Sequence, residues 1–400
     1  MSTAVATAAP QRAVQPRHAG WAGLALGFLA WFIALPPALV RSPVPSILIA
    51  LLAVAAGAWA IRGDEKRVGW GAIAAGVIGG AGAVAATRSG TSNLEDVVTW
   101  SALIAATLRF ATPLAFAALG GIISERSGVV NVGLEGMMLM GAFFGIFGAD
   151  LFDSWFLGVL AAMAAGGLLA FVHAFFSIAL RADQIVSGMA LNFLALGITG
   201  YIFLDHYGDQ GTPDNIPRVP DVSIPGIESL SFFGDAIGKA NLLTWIVLVG
   251  ALVLTVFLFR TPRGLRLRSV GEHPRAAETV GISVIRTRYV AVVTSGVLAA
   301  MGGAYLSIAF VGSFNQGMTA GRGFIALAAV IVGRWHPGGA LAATLLFGFS
   351  SALAQRLPAF SPSAAVLFQA LPYVLTLIAV AGVIGRSRPP AAVGQPYVKE

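Results

Sequence analysis

Cysteine is absent from this sequence, and charged residues are scarce. With no cysteine in 400 residues, disulfide bonds, thiolate metal sites and a cysteine nucleophile are excluded. Only 11% of the residues are charged and 57% are hydrophobic, whereas an average soluble domain has about 25% charged residues. This composition indicates an integral membrane protein.

Motifs for catalysis are also missing. The sequence contains no GxxxxGK[ST] phosphate loop, no HExxH and no GxSxG. Their absence argues against ATP hydrolysis by this chain and against an intramembrane enzyme. We therefore expect a protein that is not an enzyme and that binds no metal or cofactor of its own.

The net charge of +7 reflects membrane topology rather than nucleic-acid binding, because the basic residues flank apolar runs. Segment 260–288 holds seven arginines and two acidic residues, whereas segment 205–240 holds six acidic and two basic residues. Cytoplasmic loops carry an excess of positive charge, so we predict that 260–288 is cytoplasmic and that 205–240 is external. The same count places both termini in the cytoplasm. Arg41 and Arg88 then fall on the external side, and they are exceptions to the excess of positive charge in cytoplasmic loops.

Apolar runs near the roughly 20 residues needed to cross about 30 Å of hydrocarbon recur along the chain. They predict an all-α, polytopic membrane helix bundle with about twelve apolar segments, at 21–40, 46–61, 68–87, 97–123, 129–149, 156–180, 185–204, 241–260, 288–312, 323–334, 338–355 and 364–385. The segment at 323–334 is short, so it either spans the membrane or re-enters.

One apolar stretch, SERSGVVNVGLEGMMLMGAFFG at 124–145, contains groups that a buried helix avoids. It begins with Glu125 and Arg126, which we place at the cytoplasmic boundary, where water solvates them. Asn131 and Glu135 follow inside the apolar run and are candidates for contact with a polar ligand and for a buried pair. Glycines would let the helix break or pack closely beside a pathway, and the two that flank Glu135 are Gly133 and Gly136.

The second half of the chain echoes this pattern in GRGFIALAAVIVGRWHPGGALAATLLFG at 321–348. Paired discontinuous helices in corresponding halves of a membrane protein mark a transport site near the bilayer midplane. For either segment alone, close helix packing through small residues is an equally good explanation. Because the pattern occurs in both halves, as an internal pseudo-repeat, we favour a transport site over close helix packing alone.

Charged and amide side chains within the predicted spans are further candidates for the pathway. Arg109 and Glu135 fall in adjacent spans at similar depths, so we predict that they pair directly or through water. The alternative is that Arg109 snorkels or binds backbone carbonyls freed beside Pro113.

His173 is interpreted as a packing histidine. Polar contacts are also predicted at three amides, Asn192, Asn315 and Gln316.

The arginine-rich segment 260–288 contains a predicted short helix. Pro274 suits its first turn, and Gly281 suits a left-handed cap at its end. A plain structured loop is the alternative to a docking element, but the chemistry suits a groove on a cytoplasmic partner, because alanines permit close approach while arginines supply electrostatic register. The candidate docking residues are Glu272, Pro274, Ala276, Ala277 and Gly281.

Three motifs resemble a known family: TLRFATPLAFAALGGIISERSGVVNVGLEGMMLMGAFFG, GEHPRAAETVGISV and GRGFIALAAVIVG, in this order. They are similar to the membrane permease subunits of bacterial ABC importers for nucleosides and simple sugars, which are related to ribose and branched-chain amino acid permeases. The resemblance implies a type II-importer-like permease core at 97–388, after an N-terminal extension at 1–96 with about three membrane helices and before a cytoplasmic tail at 389–400. In such permeases the AAxxxG pattern docks onto the ATPase, although Arg275 stands where the general motif often has glutamate.

The same resemblance implies a translocation pathway for a nucleoside or simple sugar in the bacterial cell membrane. Its partners would be a separate ABC ATPase that binds ATP and magnesium, a second and non-identical permease subunit, and an external substrate-binding protein. A secondary transporter driven by an ion gradient is the competing class. That class needs buried titratable residues, for which the strong candidates are Arg109, Glu135 and His173.

Overall fold

The computed structural model describes residues 15–33, 42–88, 100–223, 234–356, 370, 373 and 388–398. The chain divides into two compact units, Met1–Trp100 and Ser101–Glu400. The predicted apolar segment at 364–385 lies outside the described residues, apart from 370 and 373.

In its described residues the first unit contains three apolar helices, α1 (Pro16–Phe32), α2 (Pro43–Arg62) and α3 (Lys66–Arg88). Proline occupies the first turn of α1 and of α2, where its missing N–H removes no helical hydrogen bond. All three helices pack on one another. The buried face of α2 consists of small residues, which allow close helix packing: Ser46, Ala50, Ala53, Gly57 and Ala60.

The second unit holds most of the helices that the structure describes. They are α4 (Trp100–Arg126), α5 (Leu134–Leu151), α6 (Trp155–Ala174), α7 (Gln184–Tyr207), α8 (Leu242–Arg260), α9 (Pro262–Glu272), α10 (Pro274–Thr279), α11 (Val284–Ala304), α12 (Arg322–Val332) and α13 (Pro337–Arg356). Helices α5, α6 and α11 pack on one another, and α12 packs on α5 and α13. A π-helical segment, Tyr305–Val311, extends α11 and also contacts α5.

Helix α8 joins two chemically different ends of this unit. Before α8, Asp221–Ser223 (β1) and Lys239–Asn241 (β2) form an antiparallel pair in which Val222 lies opposite Ala240. This pair is a small addition to the predicted all-α fold, and we call its side the acidic end. After α8, the predicted arginine-rich loop is itself helical, as α9 and α10, and we call this side the basic end.

Nine helices in the described part of the chain are long and apolar enough to cross a membrane. The chain is therefore a multi-pass membrane protein. Two predicted segments are shorter as helices: α1 has 17 residues, and α12, which corresponds to 323–334, has 11 residues. The described helices do not establish the predicted number of about twelve, since the last segment, 364–385, falls outside them.

Close approach of α6 and α11 depends on two facing glycines. A Cβ atom on Gly296 would lie 2.6 Å from the carbonyl oxygen of Gly166, and one on Gly166 would lie 2.8 Å from the carbonyl oxygen of Gly296. Both distances are shorter than van der Waals contact, so neither helix can carry a larger residue here without moving. In a bilayer, where the lipid tails are as apolar as the side chains, such packing stabilises helix association directly.

We predict that Gly296→Leu destabilises the protein, because overpacking a well-filled interface costs about 1–3 kcal/mol. Gly250 in α8 is the matched control, since nothing lies within 4 Å of its Cβ position, and Gly250→Leu should leave stability unchanged. The measurement is thermal unfolding of the purified protein in detergent, together with the yield of monodisperse protein. Equal stability of the two variants would contradict this account of the α6–α11 contact.

Candidate functional site

Glu135 lies in the first turn of α5 and faces the beginning of α12. Its carboxylate accepts two backbone hydrogen bonds, from Gly321 N at 2.8 Å and from Gly323 N at 2.6 Å. The first N–H groups of a helix have no partner within that helix, and the helix dipole places partial positive charge at the same point. Because Glu135 is at the N-terminus of α5 as well, its negative charge is stabilised by two helix N-termini.

Helix α12 places this junction inside the bundle. Its 11 residues give a length of about 16 Å, roughly half of a 30 Å hydrocarbon core. The turn after α12 contacts the end of α4 at the basic end, where Arg126 Nε donates to Trp335 O at 3.0 Å. The N-terminus of α12 therefore lies well away from the basic end, where Glu135 is half-buried and an unpaired carboxylate would be costly.

The predicted pair between Arg109 and Glu135 is wrong as a direct contact. Backbone N–H groups occupy both carboxylate oxygens of Glu135, whereas Arg109 is exposed and lines a cavity of about 150 Å³ near the acidic end. Asp221, Lys239 and Tyr305 line the same cavity. The prediction placed the two charges at similar depths by counting residues, and it did not allow for the non-helical residues before α5.

Residues 127–133 form a non-helical segment between α4 and α5, so the predicted span at 129–149 becomes helical only from Leu134. Side chains from other helices satisfy its backbone groups. Val130 N donates to Gln184 Oε1 at 2.7 Å, and Val132 O accepts from Asn192 Nδ2 at 3.1 Å. Irregular backbone is tolerated within a membrane only when its polar groups are satisfied in this way.

Asn192 and His173 both hold this segment in place. The Oδ1 atom of Asn192 also accepts from Gly136 N at 2.8 Å, so one amide bridges the segment and the first turn of α5. His173 is fully buried, and its ring nitrogens lie 3.0 Å from Val130 O and 3.1 Å from Ser187 Oγ. His173 is therefore the packing histidine that the sequence suggested, and Asn192 supports the segment.

Asn131 is directed into the protein. Its side chain is fully buried, and Nδ2 donates to Ser295 Oγ at 2.9 Å. The Oδ1 atom of Asn131 is buried without a hydrogen-bond partner in the described residues. Asn131 thus ties the non-helical segment to α11 in this structure.

The glycines of α5 have packing roles. Gly133 caps the helix, and a Cβ on Gly136 would lie 2.9 Å from Leu191 O. The helix is continuous from Leu134 to Leu151, so it does not break at Gly136 or at Gly141. The break predicted for this stretch lies at residues 127–133, before α5 begins.

Asn315 and Gln316 are exposed in the non-helical segment 312–321 that leads to α12, so neither of their side chains is buried in a packed interface. Phe314, beside them, is buried at 2% exposure. Its ring centroid lies 5.1 Å from that of Phe143 and 5.3 Å from that of Phe203. These rings form an internal aromatic cluster, so the three phenylalanines are packing residues.

Glu125 is not solvated at a membrane boundary, as the sequence suggested, but buried at 6% exposure. Trp335 Nε1 donates to the Glu125 carboxylate, while Arg126 donates to the backbone of the same tryptophan. Nothing in the sequence indicates this contact, because Trp335 follows 209 residues after Arg126. The pair anchors the turn after α12 to the end of α4.

Helix α10 has the local structure predicted for it. Pro274 begins the helix, and Gly281, with φ of 83°, provides the left-handed turn after it. The two alanines differ, because Ala276 is exposed whereas Ala277 is 3% exposed and packs with Val270 and Val284. Ala276 can therefore contact a partner, and Ala277 belongs to the protein's own packing.

We predict that Glu135→Gln lowers the free energy of unfolding by about 2 kcal/mol, because it removes a charge bound to helix N–H groups. The amide keeps the size of the side chain but presents an N–H₂ group to one of the two backbone donors. Thermal unfolding in detergent gives the measurement. The matched control is Asp153→Asn, since Asp153 is exposed and asparagine tolerates its positive φ of 48°.

Combining Glu135→Gln with Arg109→Gln tests the pairing separately. The two losses should add to within about 0.5 kcal/mol, as for residues that do not interact. A double variant clearly more stable than that sum would show that the side chains are coupled.

Residues 103–380 match the family described as branched-chain amino acid transport system / permease component. The guanosine ABC transporter permease protein NupQ of Bacillus subtilis (strain 168) is 45% identical over 76% of this chain and 99% of NupQ. The nucleoside ABC transporter permease protein NupC of Lactococcus lactis subsp. cremoris is 38% identical over 76% of this chain and 99% of NupC. The putative glucose ABC transporter permease protein TsgC13 of Haloferax volcanii is 38% identical over 64% of this chain and 77% of TsgC13.

Two different guanosine permease proteins of the same B. subtilis strain are among these relatives. No solved structure matches this chain. The family match covers more than half of the sequence, and two of the relatives align over 99% of their own length. The chain therefore belongs to the permease component family of the branched-chain amino acid transport system.

Proposed function

We propose that this chain is the membrane permease subunit of an ABC importer and forms part of the translocation pathway for a nucleoside. The similarity to NupQ over nearly the whole of that permease is the observation on which the proposal rests. The chain has no phosphate-binding loop, so ATP and magnesium are bound by a separate ATPase subunit.

A nucleoside is preferred to a sugar as the substrate. NupQ and NupC, named for guanosine and nucleoside transport, align over more of this chain than does the glucose relative TsgC13. A simple sugar is the second candidate, supported by the 38% identity to TsgC13.

The complex contains a second permease. Two different guanosine permease proteins from one B. subtilis strain are similar to this chain, which supports a non-identical partner. An external substrate-binding protein delivers the nucleoside to the acidic end. The basic end faces the cytoplasm of a bacterial cell, because its arginines follow the positive-inside rule.

The pathway runs beside the junction between Glu135 and α12. Discontinuous helices that meet within a membrane are typical of transport sites. Asn315 and Gln316 are exposed on the segment that enters this junction, and Arg109 is exposed nearer the acidic end. These side chains offer hydrogen bonds to the hydroxyl and base groups of a nucleoside, while Glu135 and Asn192 hold the surrounding helices in place.

Uptake of radiolabelled guanosine tests the substrate. The chain is expressed with its ATPase, second permease and binding protein in cells that lack nucleoside uptake. We expect ATP-dependent uptake that excess unlabelled nucleoside inhibits and excess glucose does not. Glucose uptake without guanosine uptake would favour the sugar alternative, and uptake that needs no ATPase would contradict an ABC importer.

Helix α10 docks onto the ATPase. We expect Ala276→Glu to abolish substrate-stimulated ATP hydrolysis while thermal stability stays unchanged, because this exposed residue supports no internal packing. Ala277→Glu is the contrasting variant, since burying a charge against Val270 and Val284 should destabilise the protein. The measurements are ATPase activity of the reconstituted complex and thermal unfolding of the permease alone. Normal stimulation in Ala276→Glu would mean that α10 is not the docking element.

A further inference from the structure

Residues 388–398 fold back onto the basic end. Two backbone hydrogen bonds fasten them, from Ala392 N to Gly271 O at 2.9 Å and from Gly394 N to Gly128 O at 3.2 Å. The first holds the segment to α9, and the second holds it to the non-helical segment before α5. We call residues 388–398 the tail segment; it lies beyond the 103–380 region that matches the family.

Side chains of the docking region add further contacts to the tail segment. Glu272, at the end of α9, accepts from Ala391 N at 3.1 Å. Glu278, in α10, accepts from the Tyr397 hydroxyl. Both acidic residues of segment 260–288 are therefore bound to the tail segment.

Arg288 connects the tail segment to the membrane helices. Although charged, it is only 2% exposed. Its Nη1 donates to Gln395 O at 3.1 Å, its Nε donates to Ser127 O at 3.2 Å, and its guanidinium lies 5.9 Å from the ring centre of Tyr397. Its Nη2 is buried with no hydrogen-bond partner in the described residues. The side chain of Arg288 therefore binds the tail segment, and its Nη2 group is still able to donate a hydrogen bond.

A cavity of about 520 Å³ lies between the tail segment and α10. Residues 272–276 and Arg288 line one side, and residues 391–392 and 395–398 line the other. The lining contains two arginines, Arg275 and Arg288, and one carboxylate, that of Glu272, so its net charge is positive. The cavity thus combines a positive charge with an exposed face of α10.

We infer that the ATPase docks onto a composite socket made of α10 and the tail segment, with a carboxylate-bearing segment of the ATPase entering the cavity. This inference rests on the proposed docking role of α10 and extends it to residues that the family match does not include. The basic lining selects an acidic partner, and the Tyr397–Glu278 contact fixes α10 relative to the tail segment. Without the tail segment, half of the lining is missing.

Single cysteines test the socket, since the chain has none of its own. Val398 is 46% exposed in the tail segment, and Val280 is 74% exposed directly after α10. Each is replaced by cysteine in the full-length permease, and maleimide labelling of the permease is followed with and without the ATPase subunit. Asp209→Cys is the control, because Asp209 is exposed at the acidic end.

We expect the ATPase to slow labelling of both Val398→Cys and Val280→Cys several-fold and to leave Asp209→Cys unchanged. Protection of Val280→Cys alone would overturn the composite socket and leave α10 as the docking element. Protection of neither would contradict both the socket and the docking role of α10. The outcomes therefore separate this inference from the proposed function.

Charge reversal at Arg275 and truncation at Tyr397 provide an independent measurement. We expect Arg275→Glu and Tyr397→Ala each to reduce several-fold the amount of ATPase that copurifies with the permease, measured on variants that purify as monodisperse protein. Tyr397→Phe keeps the ring beside Arg288 and loses only the bond to Glu278, so it should retain more ATPase than Tyr397→Ala. Full retention by both Arg275→Glu and Tyr397→Ala would overturn the inference.

Discussion

The carboxylate of Glu135 is the constraint on which the centre of the second unit depends. A helix that begins inside a bilayer exposes N–H groups that water cannot reach. Glu135 accepts from two of them, at Gly321 and Gly323, and its own charge is stabilised by the same dipoles. The half-buried carboxylate and the start of the short helix α12 therefore stabilise each other. Arg322, between the two donor glycines, also interacts electrostatically with Glu135, so a basic side chain adds to the stabilisation that the two N–H groups provide.

A helix that starts in the middle of the bundle must also be held at its far end. The turn after α12 is fixed there because Trp335 contacts both Glu125 and Arg126. The non-helical segment 127–133 begins directly after these residues and ends directly before α5. Consequently α12 is attached at both ends to one short stretch of chain, and side chains from α7 satisfy the peptide groups within that stretch. The irregular backbone and the short helix form a single structural unit.

The sequence predicted the features that depend on local composition. The lengths of the apolar runs predicted the membrane-spanning helices. The spacing from Pro274 to Gly281 predicted α10 and the left-handed turn after it, because proline fixes φ and glycine allows positive φ whatever surrounds them. The partner of Glu135 was missed for a physical reason: its donors are backbone N–H groups, which every residue except proline has, so no side-chain type marks them. The flanking glycines in Gly321-Arg322-Gly323 were the available signal, since they leave those N–H groups accessible. The burial of Ala277 beside an exposed Ala276 could not be predicted either, because it depends on Val270 and Val284 in neighbouring helices.

The basic end is linked to the Glu135 junction by direct contacts. Arg288 binds Ser127 at the start of the non-helical segment, and the tail segment binds Gly128, so the surface around α10 is tied to the stretch that leads to α5. Contiguity alone does not establish coupling, which requires an element with two arrangements that both sites influence. Segment 127–133 is the element suited to this role, because it lacks the intrahelical hydrogen bonds that hold α4 and α5 rigid. Its contacts to other helices are individual side-chain bonds, each of which can exchange without unfolding a helix.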